Sequence, residues 1–136
     1  MITDEDIAFP GLETMLIGWL PAELASFGYV NVQASTLVPN PRPDRWVRVV
    51  RTGGPADLVI DRAQITFEAW GTTTAAAADL AGIVRVVIRS LRGRTLDGHP
   101  IYRVAEFGGP ALLPDPDTGQ ARYSWTVQIP VRGYAI

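Results

Sequence analysis

Leu12, Met15, Leu16, Trp19 and Leu20 recur at steps of three and four, the period of a single helix face. The spacing predicts a first helix from about Gly11 to about Phe27, stopped by Gly28, since glycine adopts the left-handed cap conformation. Pro21 lacks an amide donor, so a kink or restart is expected there. The strongest pattern is Leu80, Ile83, Val84, Val87, Ile88 and Leu91, again at helical steps. Thr72, Thr73 or Thr74 can cap its first turn, and Gly93 ends it. Ala75 to Ala78 and Gly82 are small enough to let this second helix lie close on a sheet.

Strand patterns fill the rest. Tyr29 to Val38 is rich in β-branched residues and reads as extended. Pro39 to Asp44 carries prolines at 39, 41 and 43, which exclude helix and central strand and predict a stiff exposed loop. Arg45 to Arg51 reads as a strand closed by the turn Thr52-Gly53-Gly54-Pro55. In Gln64 to Trp70, Ile65, Phe67 and Ala69 alternate with Thr66, Glu68 and Trp70. Arg122 to Arg132 places Tyr123, Trp125, Val127, Ile129 and Val131 on one face, and a hairpin with Ile101 to Phe107 is expected around the turn Asp115 to Gly119.

The order helix-strand-strand-helix-strand-strand predicts an α+β fold in a single domain over 1–136. It has an antiparallel sheet of about four strands with two helices packed on it, extended loops, and a flexible or extended segment at 1–10. A length of 136 residues suits one domain. With 47% apolar and 19% charged residues the chain can build a core. It has no Cys, so disulfides and thiolate chemistry are excluded. The acidic start Met1 to Asp6 does not read as a signal peptide, and the run Met15 to Leu20 is too short to span a bilayer. All 12 basic residues are Arg, which fits a GC-rich genome, and the net charge of −2 gives no general pull toward nucleic acid.

No residue set assembles into an active site. His99, the only histidine, lies in the turn Asp97-Gly98-His99-Pro100 with no sequence partner for catalysis. Asp115 and Asp117 lack the ligand series of a calcium loop and fit a turn. Gly53-Gly54-Pro55 and Gly108-Gly109-Pro110 lack the helix and lysine of a phosphate loop. Arg85, Arg89 and Arg92 form a stripe on the second helix without interleaved aromatics, so a solvated or subunit-facing role outweighs nucleic-acid binding. The four tryptophans read as core or interface residues. No cofactor, metal or catalytic residue is expected.

Several segments in series carry a resemblance. They are Pro41 to Gly54 (PRPDRWVRVVRTGG), Asp61 to Trp70 (DRAQITFEAW), Ala75 to Leu80 (AAAADL), Glu106 to Ala111 (EFGGPA) and Leu113 to Gly119 (LPDPDTG). In this order and spacing the chain resembles, over roughly residues 11 to 133, the tail terminator proteins of long-tailed phages of actinobacteria. The resemblance implies a structural virion protein rather than an enzyme. It would be a hexameric ring in the tail-neck region, assembled in the host cytoplasm. Such a ring stops growth of the tail tube and offers a surface to the head-tail connector, or stopper, while DNA passes through the lumen without specific binding. A closing ring needs two different patches on each subunit. Pro39 to Asp44 and Gly108 to Ala121 are suited to contact partners above and below. Arg42, Asp44, Arg45, Arg48, Arg51, Asp115 and Asp117 are the interface candidates, the four arginines being expected to meet carboxylates of a neighbouring subunit or of the tube. The rival readings are another neck or tail-completion protein, a small-ligand binder or enzyme near His99, and a DNA-binding module on Arg85, Arg89 and Arg92.

Overall fold

A computed structural model describes residues 6–136. The elements in chain order are β1 (Ile7–Ala8), α1 (Leu12–Ser26), β2 (Gln33–Ser35), β3 (Trp46–Gly53), β4 (Ala56–Asp57), β5 (Ile60–Gly71), α2 (Thr74–Arg89), β6 (Thr95–Leu96), β7 (His99–Pro100), β8 (Ala105–Glu106), β9 (Ala111–Leu112), β10 (Ala121–Arg132) and β11 (Tyr134–Ala135). The fold is α+β: two helices lie on a mixed sheet of order β2-β3-β5-β10-β8, with β4 beside β5 and β9 beside β10. Among the described residues no helix is long and apolar enough to cross a membrane.

α1 runs as one helix through Pro21, where a kink or restart was expected. Leu12, Leu16, Leu20 and Leu24 form its buried stripe. The end is a Schellman cap: Gly28 donates to Ala25 O at 2.9 Å and Tyr29 to Leu24 O at 3.0 Å, with Gly28 at φ +89. α2 starts at Thr73, whose Oγ1 accepts from Ala76 N at 3.0 Å. Its buried side holds Ala77, Leu80, Ala81, Val84, Val87 and Ile88.

The sheet departs from the expected pairing at both ends. β3 and β5 form the anticipated antiparallel pair, from Trp46↔Trp70 to Gly53↔Gln64. β2 joins β3 in parallel, so the sheet is mixed rather than antiparallel throughout. The segment 29–38 therefore contributes only three strand residues. The expected hairpin partner, Ile101 to Phe107, does run antiparallel beside β10, but in short pieces: Val127↔Glu106, Gln128↔Ala105, the bridge Ile101↔Val131, and the amides of Tyr102 and Phe107 donating to Pro130 O and Thr126 O. The long partner of β10 is β5, antiparallel from Ala121↔Gly71 to Arg132↔Ile60. A small β6–β7 hairpin holds His99, and β1 pairs with β11, so residues 7 and 8 are extended against the chain end.

Alternation sorts the two faces. Ala63, Ile65, Phe67 and Ala69 of β5, Val47 and Val49 of β3, and Trp125, Val127, Ile129 and Val131 of β10 join the helices in one core. α1 covers β2 and β3, and α2 covers β5 and β10. The opposite sheet face carries the intervening polar residues, and most of the chemistry sits there.

Candidate functional site

The outer sheet face is organised around two tryptophans brought level by the β3–β5 register. The Trp46 and Trp70 rings stack with centroids 4.8 Å apart and planes 15° from parallel. On the other side of β5, Arg122 stands opposite Trp70 on β10, and its guanidinium carbon lies 5.1 Å from the Trp70 ring centroid. Arg42, from the proline-rich loop, lies at the same 5.1 Å. Cations over indole faces are attracted by the ring quadrupole, more so once water is excluded. Trp46 and Trp70 are 0% and 2% exposed, although they point away from the helices. Trp70 is covered by Arg42 of the proline-rich loop and Arg122 of β10, and Trp46 stacks on Trp70.

Arg42 joins its loop to a second one. Its Nη1 donates to Asp115 Oδ2 at 2.9 Å, Gln120 Oε1 at 3.0 Å and Thr118 Oγ1 at 3.2 Å. Asp115 in turn organises the 115–120 turn. Its Oδ1 accepts from Asp117 N at 3.1 Å, its Oδ2 from the Thr118 hydroxyl at 2.8 Å, and its carbonyl from Gly119 N at 2.7 Å. The Arg42 guanidinium, then the Asp117 amide and the Thr118 hydroxyl, hold the Asp115 carboxyl down at about 2, because each stabilises the charged form. Arg122 Nε donates to Leu113 O at 2.7 Å and so ties the near side of the same loop to β10. Loops 39–45 and 113–120 are thus one platform, with Arg42, Pro43, Asp44, Thr72, Thr118 and Gln120 around a shallow depression.

Below the platform, Glu68 lies between Arg48 at 3.3 Å and Arg122 at 3.5 Å. Arg48 Nε also donates to Thr36 O at 2.7 Å. Farther along the same face comes an uncharged row. Thr66 Oγ1 lies 3.0 Å from Thr52 Oγ1 and 2.8 Å from Thr126 Oγ1.

The sequence candidates divide accordingly. The structure brings Arg42, Asp115 and Asp117 together and leaves Asp44 exposed on the rim. Arg48 binds Glu68, and Arg51 binds buried Asp61 with both ends of its guanidinium, at 2.5 and 2.8 Å. That hydrogen bonding raises the Arg51 pKa. Arg45 lies over Tyr29 and donates to Val30 O at 3.0 Å. Arg42, Arg48 and Arg51 therefore find within the chain the carboxylates expected of a neighbour. The reason is register and turn geometry: each guanidinium already faces an anion of its own sheet or loop. Of the arginine stripe, Arg85 grips Glu106 through Nε and Nη2 at 2.7 and 2.8 Å, which lowers the Glu106 pKa. Arg89 and Arg92 are exposed. His99 packs obliquely on Tyr134 at 5.6 Å. Trp70, Glu68 and Arg122 were not singled out as site residues. The only sequence signal for them was polar parity on alternating strands.

No protein-family model matches the chain, and no curated protein matches its sequence.

Proposed function

We propose that this chain is a tail terminator: a structural subunit that assembles into a ring on the end of a phage tail tube, stops its growth and presents a joining surface to the head connector. One observation carries the reading beyond the sequence resemblance. Two loops far apart in sequence are clamped by Arg42 and Asp115 into one platform over Trp46 and Trp70. A protein that seats on a polymer end needs a surface whose shape is fixed before contact, because loops that order on binding give up affinity. The platform has that character. Proline limits one loop, an Asx turn limits the other, and an ion pair joins them.

The test is co-sedimentation with purified tail tubes that lack a cap. Binding to ends predicts that the amount of bound chain follows the number of tube ends. Shearing the tubes to half their length therefore doubles it at constant tube mass. Binding that follows tube mass, or no binding, overturns the reading.

A further inference from the structure

Arg42, Arg48, Arg51, Arg62, Arg85 and Arg122 each meet a carboxylate of this chain. Of the six others, which make no such ion pair among the described residues, two are Arg89 and Arg92. These two line a groove between α2 and the segment entering β8, whose apolar part is Val86 and Val104. Val86 is 51% exposed, on a helix whose opposite side is core. Glu106, the carboxylate nearest this groove, is held at both oxygens by Arg85, and the charge of Arg89 also favours its ionised form.

A second groove has the opposite sign. It lies between α1 and the β6–β7 turn, and Met15, Trp19, Ala22, Glu23 and Asp97 line it. Neither the Glu23 nor the Asp97 carboxylate has a hydrogen-bond or ion-pair partner among the described residues. Met15 and Trp19 are half-buried and supply an apolar floor. The chain thus carries two different concave patches, each part apolar. One holds two cations that close no ion pair, Arg89 acting on Glu106 only at a distance, and the other holds two carboxylates without a partner among the described residues.

We infer that these grooves are the two halves of a head-to-tail contact between copies of this chain, the Val86–Arg89–Arg92 groove of one subunit receiving the Trp19–Glu23–Asp97 flank of the next. Charge complementarity selects a second copy as occupant: the groove with Arg89 at the end of α2 and Arg92 just past it is opposite in sign to the groove with Glu23 on α1 and Asp97 in the β6–β7 turn. Because the patches differ, the contact is heterologous and leaves one of each free at the ends of any open oligomer, so a ring is its natural closure. The inference deepens the ring reading, and rests on that reading only for the closure.

The absence of cysteine from the chain makes site-directed cross-linking clean. A22C and V86C place thiols on exposed positions of the two grooves. With a short bis-maleimide, a mixture of the two variants gives cross-linked dimer, and neither variant does so alone. Adding R89E and R92E to the V86C chain lowers the dimer yield about tenfold or more, since like charges then meet. Adding E23R to the A22C chain restores it, which separates a lost contact from a lost fold. Homodimers from either single variant, no mixed dimer up to the solubility limit, or a yield indifferent to the reversals overturns the contact. The double variant A22C/V86C separates this inference from the proposed function. A ladder that stops at a closed ring upholds both. A ladder that grows without limit upholds the contact and removes the tube cap.

Discussion

Arg42 Nη1 donates to Asp115 Oδ2 at 2.9 Å across 73 positions of sequence, and this contact fixes the platform. Because the Asp115 carboxyl is held at about 2 against an ordinary 3.8, its folded form resists protonation more than the unfolded chain does. Its contribution is therefore fully present above pH 5, declines as pH falls below 3.8, and is lost as pH passes through about 2. Thermal unfolding of D115N should show a shallower loss of Tm than the parent between pH 5 and 2. Parallel curves would show that Asp115 is not held as described.

The stacked pair beneath the platform tests packing. Trp70→Ala removes an indole in contact with Trp46, Arg42 and Arg122, and a loss of about 3–5 kcal/mol is expected by urea unfolding. Trp70→Phe keeps a ring in the stack and removes an indole N–H that has no acceptor among the described residues. It should cost well under half as much. Equal losses would mean that stacking contributes little.

Glycines give a pair of opposite sign. A Cβ on Gly71 would sit 2.6 Å from Ala77 N and 3.0 Å from Ala76 C, both backbone atoms of α2. Gly71→Ala should therefore cost about 1–3 kcal/mol, as overpacking does. A Cβ on Gly18, in α1, meets nothing within 4 Å, and Gly18→Ala should gain about 0.5–1 kcal/mol. Denaturant midpoints read both, and a stabilised Gly71→Ala would refute the close approach of α2 to the end of β5.

The cap of α2 is the fourth test. Thr73→Ala removes the acceptor for Ala76 N and should cost about 1 kcal/mol, while Thr73→Ser should cost little. Circular dichroism during thermal unfolding distinguishes them.

Much of this fold is legible locally. Leucines at 12, 16, 20 and 24, the α2 apolar face and the alternation in β5 and β10 each follow from a period that neighbouring residues express. The partner of β10 is not legible in that way. Ile101 to Phe107 does lie antiparallel along one edge of β10, but in broken pieces, while β5 on the other edge offers twelve in-register positions and a matching apolar face. The same limit hid the platform. Arg42 and Asp115 each read as a charge seeking an external partner, because nothing near either residue encodes that the sheet brings their loops together. Trp70 looked like the polar-face end of a strand, and only the β3 and β10 registers show what stacks on it.

Tail-tube subunits polymerising with this chain present in excess should, by electron microscopy, give short tubes of arrested length, each bearing a ring of density at one end. Tubes that elongate as they do without the chain, with bare ends, would contradict the proposal.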